Sequence, residues 1–205
     1  MRDSSSPGLT ALDRLSEQLL AAAPELSVTV AETDTERKAA YRLRFEQVVA
    51  HGWADREQLP EGLEYDAFDA GALQVCAWHG DSLVGTLRLV LPVPGRTLPV
   101  EVDFELAIEP VGEVVEAGRL VITPSYRGDP AHRAWGALFA CGWLSMRTRG
   151  FSVLAGAAAP RTVDQLRALG LPFEILGPTR PHWGEDRHPV RLDPAQSEPR
   201  WFSAR

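Results

Sequence analysis

A chain of 205 residues, 44% hydrophobic and 24% charged, can bury one good core, and a single domain is expected. The formal net charge of -7 argues against a protein that coats duplex nucleic acid, because phosphate binding needs a concentrated positive face. Cys76 and Cys141 stand in apolar surroundings without metal-ligand spacing, and no secretory leader or membrane-length apolar run is read, so a reducing cytoplasm is expected.

Residues 1–8 read as a mobile polar tail, 9–193 as one domain, and 194–205 as a C-terminal tail carrying Trp201 and Phe202. Leu9, Leu12, Leu15, Leu19 and Leu20 line one side of a helix that Pro24 stops. A strand over Leu26 to Val30 follows, then a helix capped by Asp34 or Thr35 and reaching His51, with Arg42 or Arg44 left to point toward a cleft. His51 to Gly71 reads as a long irregular segment, and such segments inside compact domains are often functional. Strands over Gln74 to Trp78 and Leu83 to Leu91 are joined by a turn at Gly80-Asp81. An acidic, proline-bearing connection then carries a strand-like piece near Val100 to Leu106.

The next stretch, Glu116 to Asp129, organises the chain. An ionisable pair, Glu116 and Arg119, opens a β-branched strand through Thr123, which turns at Pro124 to Gly128 into a helix start with Asp129 as cap and Pro130 as first helical residue. That helix is apolar almost all round to Arg149, as a buried helix is, and Gly150 stops it. Phe151 to Ala157, Phe173 to Leu176 and Val190 to Leu192 read as strands, and Thr162 to Leu169 as a short helix. The order is α+β with a mixed, mostly antiparallel sheet flanked by helices.

Four segments in this order, YRLRFEQVVAHGW (Tyr41 to Trp53), EYDAFD (Glu64 to Asp69), VGTLRL (Val84 to Leu89) and EAGRL (Glu116 to Leu120), resemble the acyl-homoserine-lactone synthases and the related N-acyl amino acid synthases, which have the GNAT N-acyltransferase fold. The resemblance covers Val28 to Leu192. It implies transfer of an acyl group from a thioester, often on an acyl carrier protein as partner, to an amine. Arg44, Trp53, Asp66, Asp69, Arg88, Glu116 and Arg119 match the family's charged and aromatic positions around its active cleft; Arg44, Trp53, Asp66, Phe68, Asp69 and Arg88 are expected to bind substrate, Glu116 and Arg119 to catalyse, and Val121, Ile122, Tyr126, Arg127, Gly128 and Arg133 to contact the pantetheine or coenzyme A arm.

The residue chemistry agrees with that implication. Three arginines and three carboxylates can balance one another where an unpaired charge is costly, and an arginine fork can hold the carboxylate of an amino-acid-like acceptor. For Asp66 and Asp69, a structural network and direct substrate contact both remain open. An ammonium acceptor must lose a proton before attacking, which suits Glu116 as base, and an irregularity in the strand at Arg119 to Thr123 could offer amides to the oxyanion. No metal or bound cofactor is expected; His51, His79, His132, His182 and His188 are scattered.

Departures from the family pattern narrow the donor and product. The turn Arg127-Gly128-Asp129-Pro130-Ala131-His132 lacks the second half of the usual pyrophosphate turn. Pro130 has no amide hydrogen and Asp129 puts a carboxylate at the helix start, so one phosphate of a pantetheine arm fits better than coenzyme A. Gly118 and Leu120 replace the serine and phenylalanine usual around the last arginine, so lactone formation from S-adenosylmethionine is not expected. No tyrosine lies in Thr162 to Gly170 to protonate the departing thiol. The alternatives are a coenzyme-A-dependent acetyltransferase, an enzyme using aminoacyl-tRNA as co-substrate, and a non-catalytic acyl-binding module.

Overall fold

The computed structural model describes residues 6–59, 61–126, 128–168 and 170–198. Among these, eight strands form a mixed, mostly antiparallel sheet and five α-helices accompany it. Internal contacts divide the chain into two compact units, the first comprising Met1–Gln18, Leu91–Glu116 and Trp143–Arg205, the second Leu19–Val90 and Ala117–Gly142.

In the second unit, β1 (Ser27–Val30), β2 (Leu73–His79) and β3 (Ser82–Val90) pair antiparallel, with His79 opposite Ser82. The two-residue turn between β2 and β3 needs a positive φ, which Gly80 supplies at 57°. Helix α2 (Asp34–Ala50) starts from Thr33, one residue before the expected cap. The capping box explains the choice: Glu36 N–H donates to Thr33 Oγ1 at 3.2 Å, while Glu36 Oε2 accepts from Thr33 N–H at 2.9 Å. Helix α2 buries Ala40 against Ala31 and Cys76, with Trp78 and Leu83 around them. Burial pushes the Cys76 thiol up to about 12.

Strand β4 (Val114–Ile122) begins in the first unit and ends in the second, and helix α4 (Asp129–Arg147) does the reverse. Helix α4 starts at Asp129, expected as a cap, and buries Ala134, Ala137, Leu138 and Phe139 within the second unit. Gly85 makes this packing possible: a Cβ there would lie 2.9 Å from Leu138 Cδ1 and 3.1 Å from the Val121 carbonyl oxygen.

In the first unit, β4 pairs in parallel with β5 (Val153–Ala158) through Val114 to Glu116, and β5 pairs antiparallel with β8 (Glu185–Leu192). Strands β6 (Glu174–Ile175) and β7 (Arg180–His182) both pair with β8. Trp143 is wholly buried and its indole N–H donates to Asp13 on α1 (Pro7–Ala21) at 2.7 Å. Helix α1 takes in the last two residues of the expected tail. Helix α5 (Pro160–Ala168) completes the unit, and Trp201 and Phe202 lie outside the described residues.

The strand-like piece near Val100 is a helix instead, α3 (Pro99–Phe104). Pro99 suits a first helical turn, and Glu101 reaches back to the Leu98 amide at 2.9 Å. Val100 and Phe104, four residues apart, are buried at 1% and 4%, while Val102 is 57% exposed. In a strand, all three would share a face.

Candidate functional site

Of the expected site residues, Glu116 belongs to the first unit and the other described ones to the second. In the second unit Arg44 on α2, Arg88 on β3 and Arg119 on β4 meet Glu64, Asp66 and Asp69 from the connection before β2. Arg44 is the hub. Its Nη1 and Nη2 donate to the two oxygens of Asp69 at 2.7 and 3.1 Å, and its Nε donates to Glu64 Oε2. The guanidinium also lies 5.3 Å from the centroid of the Tyr41 ring. Arg88 Nη1 bridges Asp66 Oδ1 at 2.7 Å and Asp69 Oδ2 at 2.9 Å. Arg119 Nε donates to Glu64 Oε1 at 3.1 Å and its Nη2 to Asp66 Oδ2 at 3.2 Å.

Burial makes this lattice consequential. The side chains of Arg44, Arg88, Glu64 and Asp69 are at most 4% exposed, whereas Asp66 is 32% and Arg119 15% exposed. Three positive and three negative groups balance, as burial demands. Burial opposes charge on Asp69, but the hydrogen bonds of Arg44 and the charges of Arg44 and Arg88 outweigh it and hold the carboxyl at about 2. Burial likewise opposes charge on Arg44, and Asp69 and Glu64 reverse the effect, raising its pKa. For Arg119 burial prevails and the pKa is lowered.

Two features of the lattice bear on chemistry. Arg88 Nε and Nη2 are buried and have no hydrogen-bond partner among the described residues. They form the side-on fork that fits a carboxylate. Arg119 sits inside β4 at φ 53°, the left-handed region that costs a side-chain-bearing residue roughly 1–2 kcal/mol. The strand irregularity expected between Arg119 and Thr123 is present, at its first residue.

Glu116 belongs to the first unit. It is 6% exposed, and its Oε2 accepts the Val100 amide hydrogen at 2.8 Å. It lies three residues before Arg119 on the same strand.

The remaining expected residues are dispersed along the second unit. Trp53 packs on His51 with ring centroids 4.8 Å apart, and the Phe68 amide donates to Asp66 Oδ1 at 2.8 Å. Val121 and Ile122 end β4. The Tyr126 hydroxyl lies 2.7 Å from His79 Nδ1, Arg133 donates to Glu25 Oε1 at 2.8 Å, and Gly128 has φ 61°. Arg127 lies outside the described residues.

Sequence reasoning missed three participants. Glu64 was inside the quoted EYDAFD segment yet had no role, although it anchors both Arg44 and Arg119. Gln74 is 1% exposed and its Nε2 donates to Asp69 Oδ1 at 2.8 Å; a polar side chain within an apolar strand was its only signal. Val100 acts through its amide, which side-chain chemistry cannot flag.

No group of His, Cys, Asp and Glu among the described residues could hold a metal ion, and no described helix is long and apolar enough to cross a membrane. Residues 43–135 match the family model described as an acetyltransferase (GNAT) domain. Among solved structures the chain is similar to FeeM, an N-acyl amino acid synthase from uncultured soil microbes, at 16% identity over 83% of this chain and 92% of that one, TM-score 0.62. It is also similar to MesI, a CoA-dependent acyl-homoserine lactone synthase (19% identity, 86% of this chain and 93% of that one, TM-score 0.64). A third is BjaI, a CoA-dependent acyl-homoserine lactone synthase solved with SAM and isopentyl-CoA (17% identity, 82% and 83%, TM-score 0.65). No curated protein matches the sequence. The chain therefore has the GNAT fold, and its residues 43–135 match a GNAT acetyltransferase domain, in support of an N-acyltransferase enzyme.

Proposed function

We propose that this N-acyltransferase works in the cytoplasm and moves an acyl group from a phosphopantetheine thioester to the amine of a small, carboxylate-bearing acceptor of the amino acid type. One observation carries the acceptor class: a buried arginine, Arg88, whose Nε and Nη2 have no partner among the described residues, inside a lattice that satisfies Nη1 twice. A buried donor left unpaired costs about 1–3 kcal/mol, and an acceptor carboxylate seated on this fork relieves the cost. Asp66, the most exposed carboxylate of the lattice, marks the side from which the acceptor enters. The fold-related FeeM is an N-acyl amino acid synthase, which supports the same class.

Glu116 is the group we assign to take the ammonium proton, directly or through water, so that the nitrogen lone pair can attack the thioester carbonyl. The left-handed residue at Arg119 interrupts the strand where amides can turn toward the developing oxyanion, and Val121 and Ile122 flank the pantetheine arm. A carrier-borne donor is favoured over free coenzyme A because α4 opens with Asp129, and Pro130 removes one amide from the turn that would meet a pyrophosphate. MesI and BjaI, both described as CoA-dependent, support coenzyme A as the second reading.

Intact-mass analysis of products from paired incubations tests both parts. Acyl carrier protein and acyl-CoA thioesters of the same chain are offered with a pool of amino acids and with the matching decarboxylated amines. Acylated amino acids, made faster from the carrier, are expected. Equal rates from both donors would overturn the donor assignment, and equal acylation of the decarboxylated amines would overturn the acceptor class.

A further inference from the structure

The geometry points to His182 as a positioning residue that holds Glu116 through α3; the inference rests on Glu116 being the base. Glu116 is fixed by the Val100 amide, and Val100 lies on a helix of six residues. A helix that short does not stabilise itself in water, so its place depends on what grips it. Strand β7 supplies the grip, touching three consecutive residues at the far end of α3. His182 Nδ1 lies 3.4 Å from Asp103 Oδ2, the His182 ring packs on Phe104 with centroids 5.6 Å apart, and Arg180 Nη1 donates to Glu105 Oε2 at 3.1 Å. Phe104 is 4% exposed, so the far end cannot shift without disturbing the core. Glu101 ties the near end, accepting from the Leu98 and Ile108 amides at 2.9 and 2.8 Å.

Val100 and Phe104 are about one helical turn apart, and a displacement at Phe104 passes to the Val100 amide along a continuous hydrogen-bonded helix. His182 therefore acts on Glu116 through this helix. The charged groups around His182 are Asp103 on α3 and Glu105 just past its end, Arg180 on its own strand, and Glu185, Asp186 and Arg187 on the paired strand β8. The bond from Val100 favours the ionised form of Glu116. Loosening the grip has two consequences: turnover falls because the carboxylate wanders, and the acid limb of the kcat profile moves to higher pH because the carboxylate loses a donor.

The test uses the full chain with His182→Ala, His182→Phe, which keeps a ring on Phe104 but drops the Nδ1 contact, and Asp103→Asn. Expected for His182→Ala is a kcat lower by roughly tenfold, within the hundredfold that a 1 Å misplacement can cost. Its KM values for both substrates stay near wild type and its acid limb is displaced upward. His182→Phe falls between. If His182→Ala does not fold, the other two variants are read by the same criteria. Folded variants with wild-type kcat and an unmoved acid limb would overturn the inference, as would variants whose KM alone changes. Glu116→Gln is assayed beside them: full turnover there removes the base assignment and the inference with it, whereas lost turnover there with unaffected His182 variants removes only the positioning role.

Discussion

Replacing Arg44 with methionine is the severest single test of the charge lattice. Methionine keeps much of the length and apolar bulk of the arginine stem, so the change is chiefly one of charge and hydrogen bonding. It removes two bonds from Asp69, one from Glu64 and the 3.4 Å contact with Gln74, leaving two arginines to balance three carboxylates. Asp69 keeps Arg88, Gln74 and the Asp66 amide, and Glu64 keeps Arg119. Removing one partner of a buried pair costs about 3–5 kcal/mol, and the surviving contacts place this case near the lower figure. For a chain of this size that corresponds to a melting temperature lower by about 6–12 °C.

The pH dependence sharpens the test. Asp69 is held at about 2 in the folded protein, below its ordinary value, so its contribution to stability is complete above about pH 4 and is lost as pH falls from there toward 2. In the variant the Asp69 carboxyl rises, and protonation relieves the stranded charge as pH falls. Urea unfolding at pH 7 and pH 4 should therefore show the gap between wild type and variant narrowing at the lower pH. A loss below about 1 kcal/mol, equal at both pH values, would refute the account of the lattice as a buried, mutually dependent set.

Other perturbations separate the remaining roles. Glu116→Gln retains an oxygen for the Val100 amide, so the fold should persist by circular dichroism while kcat falls by about 10²–10⁴-fold, the usual contribution of a general base. Arg88→Lys keeps a positive charge near Asp66 and Asp69 but loses the fork; the KM for a carboxylate-bearing acceptor should rise about 10- to 100-fold in steady-state assays, with little change for the donor. Arg119→Gly removes the charge while favouring the left-handed conformation, whereas Arg119→Val adds a β-branched side chain at φ 53°. In thermal melts the valine variant should be the less stable of the two by about 1–2 kcal/mol.

The elements with a strong local signature were legible in the sequence. The leucine stripe of α1, the apolar α4 and the turn at Gly80 declare themselves through periodicity or a glycine. Strand β7 and the first half of β8 did not, because Arg180 to Arg187 is polar and charged and its turn, Trp183-Gly184, puts a tryptophan at φ 51°. Helix α3 was misread because β-branched Val100 and Val102 suggest a strand, while the deciding contacts are the Glu101 cap and the burial of Phe104. Arg44, Asp66, Asp69, Arg88 and Arg119 could be named from their segments, but their mutual pairing spans up to 53 residues of sequence and is decided only by the fold. A backbone contribution such as the Val100 amide leaves no trace in residue identity.

The cysteines give the chain a practical property. Cys76 is fully buried with a thiol pushed up to about 12, and Cys141 is half-buried with its Sγ–H directed at the Val28 carbonyl at 3.6 Å. Thiolate is the species that attacks disulfide reagents, so Cys76 stays silent toward them while the protein is native. A chromogenic disulfide added to a turnover mixture thus records sulfhydryl liberated from the donor over a low protein background, and denaturing the same sample exposes both cysteines and calibrates the signal.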